Sequence, residues 1–258
     1  MLKGLYTAHT AMLNEQHRMD TLTNNLANAS TVGYKKEGAT SQAFGDILAL
    51  KIKDASVGLG IAQPLGFNNP GVKIGENYTD FTQGSYRITE NIYDLALSGR
   101  GFFVIEFTNK AGETSNMYTR AGQFTLTREG FLVTEDGDYV LDVNSRRIQV
   151  DTLTDSVIDE NGTIYQNGQA VATIQIADFE DYNYLEKYGE TYYRPVEGAV
   201  FTPADAVVNS GYLEMSNVQV VSEMVNLIAI TRAYESNQKI IQTYDSSLEI
   251  AVNQLGKI

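Results

Sequence analysis

The sequence predicts an α+β fold in which N- and C-terminal helices pair as a coiled-coil element and a mainly antiparallel β domain is inserted between them. Three observations carry this prediction. Long stretches at both ends are free of Gly and Pro, Leu5 to Asn28 and Tyr212 to Leu255. Apolar residues in both stretches step 3-4-3-4, the spacing of a helix that packs against another helix. Between them, Phe81 to Gly211 breaks into short aromatic and β-branched runs separated by Gly-containing turns about ten residues apart, as in a barrel or sandwich of hairpins. The domains expected are residues 1–34 for the N-terminal helix, 35–80 for an extended or Gly-rich connector, 81–212 for the β domain and 213–258 for the C-terminal helix.

The first helix places Leu2, Leu5, His9, Met12, Gln16, Met19, Thr23 and Leu26 on one stripe. Three of these eight are polar, so the helix needs a packing partner, because most helix stability comes from burying an apolar face. Leu2, Leu5, Met12, Met19 and Leu26 form this side of a candidate assembly seam. The helix leaves through NNLANASTVGYKK, where Asn28 or Gly33 can adopt the left-handed conformation that closes a helix. Asn24, Asn25, Asn28 and Gly33 form a candidate helix-exit motif, whose amides can cap carbonyls or bond to neighbouring chains. Judged on one chain alone, the same run reads as an ordinary polar helix exit. Phe44 to Lys53 fits a short helix or strand, and Val57 to Gly75, with Pro64 and Pro70, reads as a loop or extended connector.

The strand candidates are Tyr93–Leu97, Phe102–Phe107, Phe124–Thr127, Phe131–Thr134, Tyr139–Asp142 and Ala170–Ala177. Turns are marked by Arg128-Glu129-Gly130, Glu135-Asp136-Gly137, Asn161-Gly162 and Asn167-Gly168. Asp178 to Tyr193 is acidic and rich in tyrosine, which suits either a binding rim or a loop covering the β core.

The last helix has a start signal in Ser216 and Gln219, a capping-box pair, with Met215 and Val220 placed as a hydrophobic staple. Its stop signal is Gly256. The seam continues through Leu227, Ile230, Tyr234, Ile241, Tyr244, Leu248, Ala251 and Leu255, with Asn237 as its polar member. Arg232, Glu235, Lys239, Asp245 and Glu249 fall off the seam. About 39 residues at roughly 1.5 Å each make a helix of about 58 Å. That overshoots a compact domain of about 130 residues, whose radius of gyration is near 14 Å. The helix is therefore expected to project and bury its stripe outside the β domain; the alternative is a long core helix of one large α+β domain.

Composition excludes several function classes. The formal charge is −13, which disfavours non-specific nucleic-acid binding for want of cations to displace phosphate counterions. With no cysteine there are no disulfides and no Cys nucleophile or metal ligand. The start, MLKGLYTAHTAMLNEQHR, lacks the apolar core of a signal peptide, and no run reaches the ~18 apolar residues of a membrane span. His9 and His17 are two helical turns apart, too far for a metal pair. Ser98-Gly99-Arg100-Gly101 lacks the third glycine of a dinucleotide fingerprint, and Glu135 to Asp138 does not match calcium-loop spacing. No residue stands out as nucleophile or base. No catalytic, cofactor or metal site and no small-molecule substrate is expected.

Four runs carry a family resemblance. NNLANASTVGYKK resembles the N-terminal signature of the flagellar basal-body rod and hook proteins. FTQGSYRITENIYDLALSGRGFFVI and YTRAGQFTLTREGFLVTEDGDYVL are similar to that family's entrance into its β domain and the hairpins that follow. GYLEMSNVQVVSEMVNLIAITRAYESNQKIIQTYDSSLEIAVNQL is similar to its C-terminal helix. Chain length and SNVQVVSEMVNLI are closest to the distal rod proteins, with the proximal rod proteins next. The resemblance implies a structural subunit without enzymatic activity, exported through the flagellar type III channel without a cleaved signal. Such subunits assemble helically into the torque-carrying rod of the basal body, helices inside and β domain outside. Their partners are further copies, neighbouring rod and hook proteins and the export apparatus. A rival reading from another class is a β-domain binding module, for carbohydrate for instance, on a coiled-coil stalk. It would stop at a small closed oligomer where a rod subunit would keep associating.

Overall fold

The structure, a computed structural model, describes residues 2–51, 63–110 and 112–255. The Gly256 stop signal and residues 57–62 of the expected Gly-rich loop lie outside the described residues. The chain divides into two compact units: Met1–Leu26, Glu37–Thr79 and Val220–Ile258 form one, Ala27–Lys36 and Asp80–Gln219 the other.

The first unit contains α1 (Leu2–Ala27), four strands and α2 (Val220–Ile250), which ends in a π-type turn over Ala251–Leu255. The strands are β1 (Glu37–Ala43), β2 (Ile47–Lys51), β3 (Gln63–Asn68) and β4 (Val72–Thr79). They nest as one ribbon: β1 pairs antiparallel with β4, and β2 with β3. The outer pair bulges between Ala39 and Ser41. The Thr40 hydroxyl spans this gap, donating to the Glu76 carbonyl at 2.9 Å and accepting from the Glu76 amide at 2.8 Å. Residues 35–80, read from sequence as a connector, thus hold an extended ribbon. Its strands, EGATSQA and VKIGENYT, are polar and bury no continuous face, so they lack the alternation that marks a half-buried strand.

One expected boundary is corrected. Helix α2 starts at Val220, not beside Ser216. The Ser216 hydroxyl accepts from the Val218 amide at 3.2 Å, making a local turn of its own. The Asn217 amide is committed to the Asp80 and Thr82 carbonyls, at 2.8 and 3.2 Å. The Asn217 bonds hold this stretch against the Asp80–Thr82 segment, and helical backbone begins only at Val220.

The second unit is β-rich. Its strands are β5 (Tyr86–Ile88), β6 (Leu95–Gly99), β7 (Phe102–Thr108), β8 (Thr114–Thr119), β9 (Phe124–Leu126), β10 (Leu132–Thr134), β11 (Tyr139–Val140) and β12 (Ser156–Ile158). There follow β13 (Thr163–Gln166), β14 (Gln169–Thr173), β15 (Ile176–Phe179), β16 (Leu185–Tyr188), β17 (Tyr192–Pro195), β18 (Phe201–Pro203), β19 (Ala206–Ser210) and β20 (Tyr212–Glu214). The main sheet runs β16-β17-β8-β7-β11-β10-β9, with β15 on β7 and β18 on β15. A β12-β13-β14 meander and the pairs β19-β6 and β20-β5 complete the unit. All these pairings are antiparallel.

Strand β7 explains the core. Successive side chains point to opposite faces. Phe103 and Ile105 enter one apolar cluster, with Leu95, Phe124, Leu132 and Ile164. Phe102 and Val104 enter another, with Tyr118, Phe179 and Tyr193. A strand buried on both faces reads as a continuous apolar run, here Phe102 to Ile105. The turns obey their residues too. Gly130, Gly137 and Gly162 have φ of 83°, 93° and 76°, each closing a three-residue hairpin loop. Asn167 and Gly168 have φ of 52° and 77°, which suits the two-residue turn between β13 and β14. Expected strand Ala170–Ala177 is in fact split into β14 and β15, whose partners differ.

Candidate functional site

On α1, Leu5, Met12, Met19 and Leu26 are half-buried, and His9, Gln16 and Thr23 are exposed. The deeply buried residues are Ala8, Asn14, Thr21 and Asn25, on a neighbouring face. That face meets the β ribbon through polar groups. Asn14 Nδ2 donates to Ser41 Oγ at 2.9 Å, and His17 Nε2 lies 2.9 Å from Asn77 Oδ1. Asn25 is fully buried and pairs with the backbone of Glu37 as a strand would: Nδ2 donates to its carbonyl at 2.7 Å and Oδ1 accepts from its amide at 2.9 Å. A buried amide is costly unless both its ends are bonded, and here both are.

On α2, Glu223 and Ile230 are buried, and Leu227, Tyr234, Asn237, Ile241, Tyr244, Leu248 and Ala251 are half-buried. Protection therefore runs down one stripe with 3-4 spacing. The rest of the helix surface is largely open, including Val221, Met224, Val225 and Ile228 at 77%, 48%, 60% and 54% exposure. Gly4 of α1 packs on the Tyr244 ring, where any Cβ would collide with the ring and its hydroxyl. The side chains of Leu2 and Leu255 lie outside the described residues.

The helix-exit motif divides between the two units. Asn24 is exposed, and Asn28 is buried, with its Oδ1 accepting from the Thr31 hydroxyl at 3.1 Å. Gly33 lies six residues beyond the end of α1 with φ of 70°, so its left-handed conformation serves a later turn and not the helix cap. It lies flush against the backbone of Arg120 and Ala121, where a Cβ would come within 2.6 Å of the Arg120 carbonyl carbon.

From Gly33 onward the chain docks residue by residue in the β-rich unit. The Gly33 amide donates to the Glu214 carbonyl at 2.8 Å. Tyr34 is fully buried, with Lys187 Nζ 4.1 Å from its ring centre. Lys35 Nζ donates to Glu214 Oε1 at 2.6 Å and to the Thr82 carbonyl at 2.8 Å. The Lys36 amide donates to Asn217 Oδ1 at 2.8 Å. Glu214 also receives Arg120 Nη1 at 3.4 Å and the Gly84 amide at 3.0 Å, and Arg120 Nη2 reaches the Gly99 carbonyl at 2.8 Å. Burial holds the Lys35 ammonium below its ordinary pKa; the attraction of Glu214 opposes this without overcoming it. Spacing along the chain does not reveal this Lys35–Glu214–Arg120 triad, although each of the three residues falls in a run that carries the family resemblance.

Elsewhere a cavity of about 720 Å³ is lined by Thr31, Arg87, Glu135, Asp136, Glu190 and Tyr192, among others. The Tyr192 hydroxyl lies 2.9 Å from Asp136 Oδ2 and 3.1 Å from Asp138 Oδ2, and burial pushes its pKa up. Burial likewise raises the Asp138 carboxyl. Among the described residues, no three His, Cys, Asp or Glu side chains are grouped to hold a metal ion.

The chain matches three family profiles in order along its length. Residues 5–35 match "Flagella basal body rod protein", 96–166 match "Flagellar hook protein FlgE/F/G D1 domain", and 209–255 match "Flagellar basal body rod FlgEFG protein C-terminal". It is 33% identical to the flagellar hook-basal body complex protein FlhO of Bacillus subtilis, over 100% of both chains. It is 34% identical to the flagellar basal-body rod protein FlgF of Caulobacter vibrioides, over 100% of both. With the rod protein FlgG of the same organism it shares 35%, over 98% of this chain and 99% of that one. Three family segments in the family's order and full-length identity above 30% place this chain in the flagellar basal-body rod protein family.

Proposed function

We propose that the chain is a structural subunit of the flagellar basal-body rod, one that associates with further copies of itself and with neighbouring rod and hook proteins into the torque-carrying shaft. The observation that carries this is the surface of α2. A helix of 31 residues protects one stripe and leaves Val221, Met224, Val225 and Ile228 open on another side. Exposed apolar patches of that kind mark interaction surfaces. Coiled-coil pairing of α1 and α2 along the 3-4 seam is part of this reading, and the contact of Gly4 with Tyr244 supports it. Placement in the distal rod rests on chain length and the run Ser216 to Ile228. Export through the flagellar type III apparatus is part of the same reading and is supported by family membership.

Sedimentation velocity over a dilution series tests the reading. A rod subunit grows open-ended with concentration, and Ile228→Asp, which puts a charge on the open face of α2, halts that growth. A wild-type chain that stops at a small closed oligomer at every concentration would favour a stalked binding module instead.

A further inference from the structure

Glu214 is shared by two cations, Lys35 and Arg120, and by the Gly84 amide. The three charged side chains are 0–4% exposed. Two positive charges share Glu214, with Asp80 adding a weaker attraction on Lys35, and Arg120 Nε finds no partner among the described residues. Such a cluster contributes little net stability compared with apolar groups packed in its place, because lost hydration offsets most of the attraction, yet removing one member leaves the others buried and short of a partner. Opening it to water rehydrates all three groups. Opening the apolar cluster around Phe103 and Ile105 has no such return.

Position in the chain adds a second argument. Lys35 and Glu214 are 179 residues apart. Contacts that close so long a loop form late, since chain entropy must be lost before they can form. The triad also sits where the chain leads to each helix. Residues 33–36 run alongside 214–217, joined by the Gly33 amide to the Glu214 carbonyl and by the Lys36 amide to the Asn217 side chain.

We propose that Lys35, Arg120 and Glu214 form a latch on the two chain roots, residues 33–36 and 214–217, that closes last in folding and opens first, releasing both roots while the β core stays folded. The latch belongs to the single chain and operates whatever the helices assemble with. It lets the roots re-aim without unfolding the β-rich unit, a local opening of low free energy set inside a unit of higher stability.

Amide hydrogen exchange on the full chain tests this. The reporters are the amides of Gly33, Lys36, Gly84 and Met215, bonded respectively to Glu214 O, Asn217 Oδ1, Glu214 Oε1 and Ser85 O. The core references are the amides of Val104 and Leu141, bonded to the Gln175 and Val104 carbonyls. In the wild type the root amides exchange together, at least about tenfold faster than the core pair. Lys35→Met speeds the roots by about tenfold more and leaves the core unchanged. Glu214→Gln, which keeps the shape and strands two cations, speeds them further. Root and core amides sharing one rate in the wild type would overturn the latch. So would a Lys35→Met chain whose root rates do not change, or whose root and core rates rise equally. The wild-type comparison decides the matter even if the Gln variant does not fold.

Discussion

At the scale of single residues, backbone contact sets tighter limits than conformation. Gly33 has φ of 70°, which Asn tolerates better than Val does. On conformation alone Gly33→Asn would be mild and Gly33→Val severe. The backbone of Arg120 and Ala121 occupies the space of any Cβ, so the two variants converge. Both are expected to lose about 2 kcal/mol or more, from left-handed strain and overlap together. Urea midpoints check this, and a Gly33→Asn chain as stable as wild type would refute it. Lys35 gives a prediction in pH. It is faced by Glu214, Arg120 and Asp80, and burial lowers its pKa below the ordinary 10.5. Between the two values the unfolded chain binds more protons than the folded one, so stability increases with pH through that window and levels off above 10.5. Tyr118, Tyr182 and Tyr192 act in the opposite sense above pH ~10, because burial raises their hydroxyls and the folded chain then holds the extra protons. They act alike in both chains, so the difference between wild type and Lys35→Met isolates the lysine. That difference should move in favour of the wild type as pH climbs toward 10.5 and be flat at neutral pH. A difference independent of pH from 7 to 11 would show that Lys35 is not shifted.

At the scale of elements, α2 has two faces with separate consequences. Leu248 is half-buried on the protected stripe, and Ile228 is open on the other. Leu248→Asp removes apolar contact and sets a carboxylate against its neighbours, a cost that grows with burial. Cells carrying it are expected to make the protein and lose swimming on soft agar, and normal motility would refute a role for the stripe. The elements also show what was legible in the sequence. Helix α2 was readable because its stripe repeats over many turns, and β7 because Phe102 to Ile105 is apolar on both faces. The hairpin turns were readable because their glycines meet a steric demand that few residues can. The β1–β4 ribbon was not, since its partner on α1 is a row of amides and hydroxyls and leaves no hydrophobic period. Strands β16 to β20 were hidden for a related reason. They are short, and apart from the β16–β17 hairpin each pairs with a strand further off in sequence, as Tyr193 does with Tyr118 and Leu213 with Arg87. The Glu214 triad could not be located from spacing, because its members are brought together only by the fold.

For the whole molecule, the decisive quantity is how much apolar surface each part buries. The β-rich unit buries two apolar clusters of its own. Among deeply buried apolar residues, α1 supplies Ala8 and α2 supplies Ile230. The remaining helix contacts are half-exposed or polar. Ordering a residue costs about 1–2 kcal/mol of backbone entropy, and so little burial does not offset that over two long helices. An isolated chain is therefore expected to fold its β-rich unit and leave the helices largely unformed until other subunits cover them. The structure moves the expected boundaries inward, since Ala27–Lys36 and the residues up to Gln219 group with the β-rich unit. In dilute monomer, residues 2–26 and 220–255 should exchange their amides almost at once. Residues 33–36 and 214–217 should be slower, and strands β7 and β8 slowest. At concentrations where subunits associate, protection should spread along α2 from Leu227 to Leu248. Strong protection across that span in a verified monomer would refute this order of events, and would mean that the helices pair within one chain before any partner arrives.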